Sequence, residues 1–168
     1  TPVMSENLID PTALCLIPKP QEICPLEGAS ELCADARLVT ANVKPLQRKT
    51  IRSVLAAAGI RVVANKKKFV IDIQVLDADE LDMSKVPESV RDDYYELDVR
   101  NNVVTVRTST QLGALWGAQT LGWIYRTGAR EQFSPNFVVR DWSSERIPGI
   151  FVDHLRGTRY MLSADWEQ

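Results

Sequence analysis

Hydrophobic and polar positions along this chain change period several times, and each change marks an element. In "KKKFVIDIQVLD" the apolar Phe69, Ile71, Ile73 and Val75 alternate with Val70, Asp72 and Gln74. A period of two predicts a half-buried strand. "YYELDVRNNVVTVRTS" carries the same alternation on both sides of Asn101 and Asn102. If these two asparagines form a two-residue turn, Val99 falls opposite Val104 and Leu97 opposite Val106. All four side chains then share one face, as an antiparallel hairpin with one dry side requires.

Elsewhere the period lengthens to that of a helix. Ile51, Val54, Leu55 and Ala58 follow the i, i+3, i+4, i+7 rule, with Arg48, Lys49 and Arg52 facing water. Asn42 is the candidate N-cap of this helix, Pro45 suits its first turn and Gly59 its end. A second helix is predicted from "TSTQLGALWGAQTLGWIYRTG". Thr108 and Gln111 have the spacing of a capping box, and Gly128 is a plausible terminator. This helix carries Gly113, Gly117 and Gly122, each costing about 1 kcal/mol relative to alanine in a helix interior. Gly113 and Gly117, four apart, leave one flank smooth. The segment is too short and too polar at its end for a membrane dimer, so the expected cause is close packing on the domain's own sheet or on a neighbouring domain.

"ALCLIPKPQEI" reads as a short strand that Pro18 and Pro20 confine to a sheet edge or a linker. "ARLVTA" is a further strand, and "FVVRDW" adds a last edge strand. The order strand, strand, helix, strand, hairpin, helix, strand predicts an α+β fold, a mostly antiparallel sheet with two helices packed on one face. The expected organisation is a flexible lead-in over residues 1–12, an α+β domain over 13–147, and a separate beginning over 148–168.

The 168 residues suit one domain of ordinary size, and 45% hydrophobic with 25% charged residues are globular proportions. A net charge of -2 gives no electrostatic reason to expect nucleic acid or an acidic membrane surface. No apolar run approaches the ~18 residues that span a bilayer. The sequence opens at Thr1 without a charged-then-apolar leader, which suits either a removed signal peptide or trimming. Cys15, Cys24 and Cys33 do not form CxxC pairs; they allow one disulfide plus a thiol, or three small buried residues.

Candidate chemistry is sparse. With one histidine, His154, an HExxH metal site is excluded. No GxSxG elbow, Walker loop or GxGxxG after a strand is present, and no metal or cofactor is expected. The acidic clusters Asp77 to Asp82 and Asp92 to Asp98 have the composition for paired-carboxylate chemistry, but both flank predicted strands and read as solvated loops. The Lys66 to Lys68 run reads as a solvated turn. Trp116 and Trp123, seven apart on the second helix, read as core or interdomain packing, with sugar stacking as the sharper alternative. Near the C-terminus, "GIFVD" (Gly149 to Asp153) is a continuous apolar run ending in a carboxylate. Such a run fits a parallel strand buried on both faces, as in a β/α barrel, where functional side chains sit at the carboxyl ends of strands.

Several segments resemble, in order, the N-terminal region of family 20 glycoside hydrolases, the β-N-acetylhexosaminidases. "LIPKPQEI" looks like the family's opening strand with its IP-x-P signature. Gly113, Gly117, Gln119, Thr120 and Leu121 match a G-x-x-x-G-x-Q-T-L core after the hairpin. "VRDWSSERIPGIFVDHLR" is similar to the D-W-P-R-F-x-x-R-G-x-x-x-D-x-x-R passage that leads into the catalytic barrel.

The resemblance implies that residues 13–147 are the family's non-catalytic accessory domain (zincin-like in shape, without zinc). It implies that residues 148–168 begin a (β/α)8 barrel whose catalytic Asp-Glu pair lies beyond this chain. Asp153 and Arg156 match substrate-binding positions on the first barrel strand; no catalytic residue is expected here. Pro148 replaces the family's sugar-binding arginine, and Ser143 to Glu145 depart from the P-R-F of the motif. The implied partner is the downstream barrel of the same polypeptide, and through it a carbohydrate, in an extracytoplasmic setting. The parent would hydrolyse terminal N-acetylhexosamine with help from the substrate's own acetamido group. The alternatives are a carbohydrate-binding or protein-interaction module, or the N-terminal domain of an α-glucuronidase or O-GlcNAc hydrolase type.

Overall fold

The computed structural model describes residues 19–65, 68–128 and 133–144. Seven strands form one sheet: β1 (Glu22–Glu31), β2 (Asp35–Ala41), β3 (Arg61–Val62), β4 (Val70–Val75), β5 (Tyr95–Arg100), β6 (Val103–Thr108) and β7 (Phe133–Asp141). Their spatial order is β1-β7-β5-β6-β4-β2-β3. Two helices, α1 (Pro45–Ala57) and α2 (Gln111–Gly128), complete the α+β architecture. The sheet is mixed. The pairs β1–β7, β7–β5 and β5–β6 are antiparallel, whereas β6–β4, β4–β2 and β2–β3 are parallel.

The parallel half has a topological cause. α1 carries the chain from β2 to β3, parallel on the outer side of β2, from which it returns to β4 on β2's other side, and α2 carries it from β6 across β5 to β7. Helical crossovers let the strands they join run the same way, and both helices lie on one face of the sheet over a shared core. They pack against each other there and on the sheet beneath. The side chains of that face are the ones the alternation singled out: Phe69, Ile71, Ile73, Leu97, Val99, Val104 and Val106 are all fully buried, with Phe137 and Val139 beside them.

The hairpin matches its sequence signal in register. Val99 lies opposite Val104 and Leu97 opposite Val106. Asn101 and Asn102 both take left-handed backbone, at φ 53° and 59°, the conformation a type I′ turn needs at both central positions. The close approach of α2 also has its expected explanation. A Cβ at Gly113 would run into the Thr108 hydroxyl and the Tyr94 carbonyl, and one at Gly117 into the Val106 side chain. The glycines let the helix axis settle onto β6.

Four local expectations are corrected. Asn42 does not cap α1; Lys44 holds the cap position without a side-chain bond. Asn42 instead turns the chain at φ 59°, its amide donating to the Val75 carbonyl at 3.0 Å. Thr110, not Thr108, caps α2: its hydroxyl oxygen accepts the Gly113 N–H at 2.9 Å. Thr108 is buried and donates to the Tyr94 carbonyl at 2.8 Å. Gln111, freed from any capping box, ties the two helix starts together, accepting from the Lys44 N–H and donating to the Asn42 carbonyl, both at 2.9 Å. Finally, β7 is interior to the sheet, and the edge is β1, which begins at Glu22, near the end of "ALCLIPKPQEI", and runs to Glu31. Its Pro25 is tolerated at an edge, and a bulge between Pro25 and Ala29 places Gly28 at φ 87°.

Candidate functional site

One groove stands out. It opens between the outer face of α2 and the ends of β5 and β7, with a volume near 310 Å³. Trp116, Thr120 and Trp123 line it from one helix stripe, at i, i+4 and i+7. Opposite them stand Gln21 and the stretch Asp141 to Ser144. Trp116 and Trp123 are 37% and 38% exposed, so they are not core residues. Trp142 leans on Tyr94 with ring centroids 6.1 Å apart.

The floor is polar and internally satisfied. The Tyr95 hydroxyl donates to Asp141 Oδ2 at 3.2 Å and meets the Thr120 hydroxyl at 2.5 Å. With its own proton on the carboxylate, Tyr95 accepts from Thr120. Asp141 Oδ1 accepts the Gln21 N–H at 3.1 Å, and the Gln21 side-chain amide donates to the Trp142 carbonyl at 3.3 Å and to Ser144 Oγ at 2.9 Å. Gln21 thereby fastens the start of β1 to the chain beyond β7. Ser143 Oγ donates to Asp93 at 2.7 Å.

Burial pushes the Asp141 carboxyl above its ordinary value, against the opposing pull of the Gln21 and Trp142 N–H groups and the Tyr95 hydroxyl. Burial also raises the Tyr95 phenol, and the Asp141 charge adds to that rise. For a raised carboxyl the linkage sign is unfavourable at neutral pH. The unfolded Asp loses its proton near ~3.9, the folded one later, so stability falls as pH rises through that interval. Asp141→Asn, which does not titrate, should therefore gain relative to wild type as pH climbs from about 3 to about 7. Urea midpoints of the two proteins across that range measure this; a gap moving the other way would show a net stabilised carboxylate.

The polar groups of the groove are largely paired within the domain. The two groove carboxylates, Asp93 and Asp141, each already accept an internal donor, and no histidine or cysteine lines the groove among the described residues. Among the described residues no cluster of three His, Cys, Asp or Glu side chains is placed to hold a metal. The acidic loops are engaged locally: Asp77 and Glu80 form a capping box on a 3₁₀ turn, and Asp82 accepts from Ser84. Cys24 and Cys33 are not joined to one another. No helix among the described residues is long and apolar enough to cross a membrane. Asp153 and Arg156, the substrate-binding candidates, lie outside the described residues, as do Cys15, Pro148, His154 and the "GIFVD" run.

The residues that carried the resemblance converge here. Thr120 and Gln119 of the helix motif face Asp141 and Trp142 of the D-W pair across the same groove. The family model for Glycosyl hydrolase family 20, domain 2, matches residues 13–142. The chain belongs to that family.

Solved structures agree on the fold of this family 20 domain. CpGH84D superposes with a TM-score of 0.56 at 20% identity, covering 76% of this chain and 24% of its own. A chitobiase from Flavobacterium johnsoniae gives 0.53 at 18% identity, covering 82% and 22%. A β-N-acetylhexosaminidase from Bacteroides fragilis gives 0.50 at 15%, covering 74% and 23%. The chain thus spans about a quarter of each of these three solved structures. No curated protein matches it. The groove contacts of Gln21, Tyr95 and Asp141 were missed in the sequence; the D-W pair was the available signal, and only folding shows that Tyr95 and Thr120 reach it.

Proposed function

We propose that this domain is the non-catalytic accessory domain of a secreted, hexosaminidase-like glycoside hydrolase, and that it seats the catalytic barrel of the same polypeptide on the outer face of α2. The observation that carries this reading is the exposure of Trp116 and Trp123 on one helix stripe, beside a groove whose far rim is Ser144. Contiguous exposed aromatics on a domain that already has a full core favour an interaction surface. The chain continues from that rim into residues 145–168, so a barrel beginning at Pro148 would start next to the aromatic face. On this reading Asp153 and Arg156 bind the sugar from the first barrel strand, with Pro148 removing one charged contact.

The purified chain should release no nitrophenol from an aryl N-acetylglucosaminide above the buffer rate. Measurable turnover would sink the non-catalytic assignment. Calorimetric titration with chitooligosaccharides should likewise be silent, since the aromatic face is kept for protein; saturable heat would make the domain a sugar-binding module instead.

A further inference from the structure

Charge is distributed unevenly along this chain. Residues 36–71 hold nine of the twenty lysines and arginines and none of the 22 acidic residues. That stretch supplies β2 apart from Asp35, all of α1 and β3, and the first two residues of β4, whose Asp72 lies beside Val39, at one end of the sheet. Among the described residues Arg61 pairs with Asp35 and Lys68 with Glu31, while Arg37, Lys44, Arg48, Lys49 and Arg52 enter no ion pair. Arg48 and Arg52, four apart on α1, share a face.

The same end of the sheet has an unfinished edge. β3 pairs with β2 only at Asp35 and Ala36. On its inner side β2 bonds to β4 through Arg37, whose N–H reaches the Phe69 carbonyl at 3.0 Å. In a parallel ladder alternate residues turn their N–H and C=O to the same side. Arg37, Val39 and Ala41 therefore face β4, and Leu38 and Thr40 point their backbone groups outward. Among the described residues no ladder partner meets them. Beside this edge runs an open groove lined by Leu38, Val39, Val62 and Ala64, with Arg37 and Arg52 at its sides.

We propose that the β2 edge receives an extended acidic peptide segment as an added strand, antiparallel or parallel, beyond β3. The Leu38 and Thr40 backbone groups supply the main-chain bonds of strand addition, and the groove takes the side chains of one face, between its aliphatic residues and its two arginines. Carboxylates on the added strand meet Arg37 on the open face of the sheet and Arg52 on the helix side. A second copy of this chain is the wrong occupant, because edge-to-edge pairing would bring this basic strip against itself, and opposed like charges destabilise a strand pair. The site lies at the opposite end of the sheet order from β1 and is independent of the α2 aromatic face.

The test uses the full 168-residue chain and a capped, fluorescein-labelled peptide of alternating valine and glutamate, followed by fluorescence anisotropy at low salt. Saturable binding is expected, with none for the valine–lysine analogue. Thr40→Pro removes an outward N–H without touching the bonds to β4, and should weaken binding about tenfold. Arg37→Ala and Arg52→Ala should each weaken it about two- to fivefold, less at high salt. Independently of any variant, bound peptide should slow amide exchange at Leu38 and Thr40. Absence of binding overturns the proposal. So does binding that leaves Leu38 and Thr40 exchange unchanged, or that heparin abolishes while a folded Thr40→Pro binds as well as wild type, which marks a mere polyanion surface. Concentration-dependent dimerisation lost in Thr40→Pro would assign the edge to a second copy and equally overturn it.

Discussion

Gly113→Ala should destabilise the domain by about 2–3 kcal/mol, although alanine is the better helix former. The propensity gain is about 1 kcal/mol. Against it stands a methyl group driven into the Thr108 hydroxyl and 2.8 Å from the Tyr94 carbonyl, which is backbone and cannot rotate aside. Overpacking of this kind costs about 1–3 kcal/mol. Displacing Thr108 adds more, because its buried hydroxyl donates to that carbonyl and receives the Thr110 N–H at 3.3 Å; an unsatisfied buried group costs about 1–3 kcal/mol. Gly122→Ala is the control. Its methyl would meet only the Ala58 side chain at 3.3 Å, where α1 can yield slightly, so the change should stay within ~0.5 kcal/mol as clash and propensity offset. Urea unfolding of both variants decides the matter, and for this size the first should lower Tm by about 5–10 °C. Equal stabilities would mean that α2 does not rest on β6 as described.

The second large effect is expected at the hairpin. Asn102→Ala should cost about 2–3 kcal/mol. Its φ of 59° lies in the left-handed region, where an ordinary side chain pays about 1–2 kcal/mol. Its side-chain carbonyl also accepts the Glu31 N–H at 2.7 Å, and its own N–H donates to the buried Ser30 hydroxyl at 3.2 Å. Asn102 is thus both the turn of β5–β6 and the point where edge strand β1 is tied to that turn. Asn102→Gly keeps the left-handed backbone and loses only the side-chain acceptor, so it should lose about 1 kcal/mol. Chemical denaturation of both variants separates the contributions. If glycine and alanine cost the same, the bond to Glu31 dominates and the turn geometry is incidental.

Much of the fold was legible because local rules and burial agreed. The alternation through Phe69 to Val75 and around Asn101–Asn102 named the face that the helices cover, and the hairpin register followed from a turn that only left-handed residues make. The glycine stripe announced a close approach, since three interior glycines need a reason. The misreadings arose where local chemistry had competitors. Asn42 has the right residue type for a cap, yet its left-handed backbone turns its amide to Val75. Thr108 and Thr110 both fit a cap, and burial of Thr108 against Tyr94 settled which serves. "FVVRDW" looked like an edge because nothing local says that β1, earlier by over a hundred residues, pairs outside it.

By itself, then, the sequence determined both helices, the strands from β4 to β6 with their buried faces, the hairpin register and the likeness to family 20, because all of these are written in spacing and residue type within a few turns or strands; the short β3 and most of β1 carry no such local signal. Only the tertiary structure decided the parallel half of the sheet, the interior place of β7, and the meeting of Gln21, Tyr95, Thr120 and Asp141 at one groove. Those depend on how crossovers return and which distant backbone groups find each other, and no local period records that.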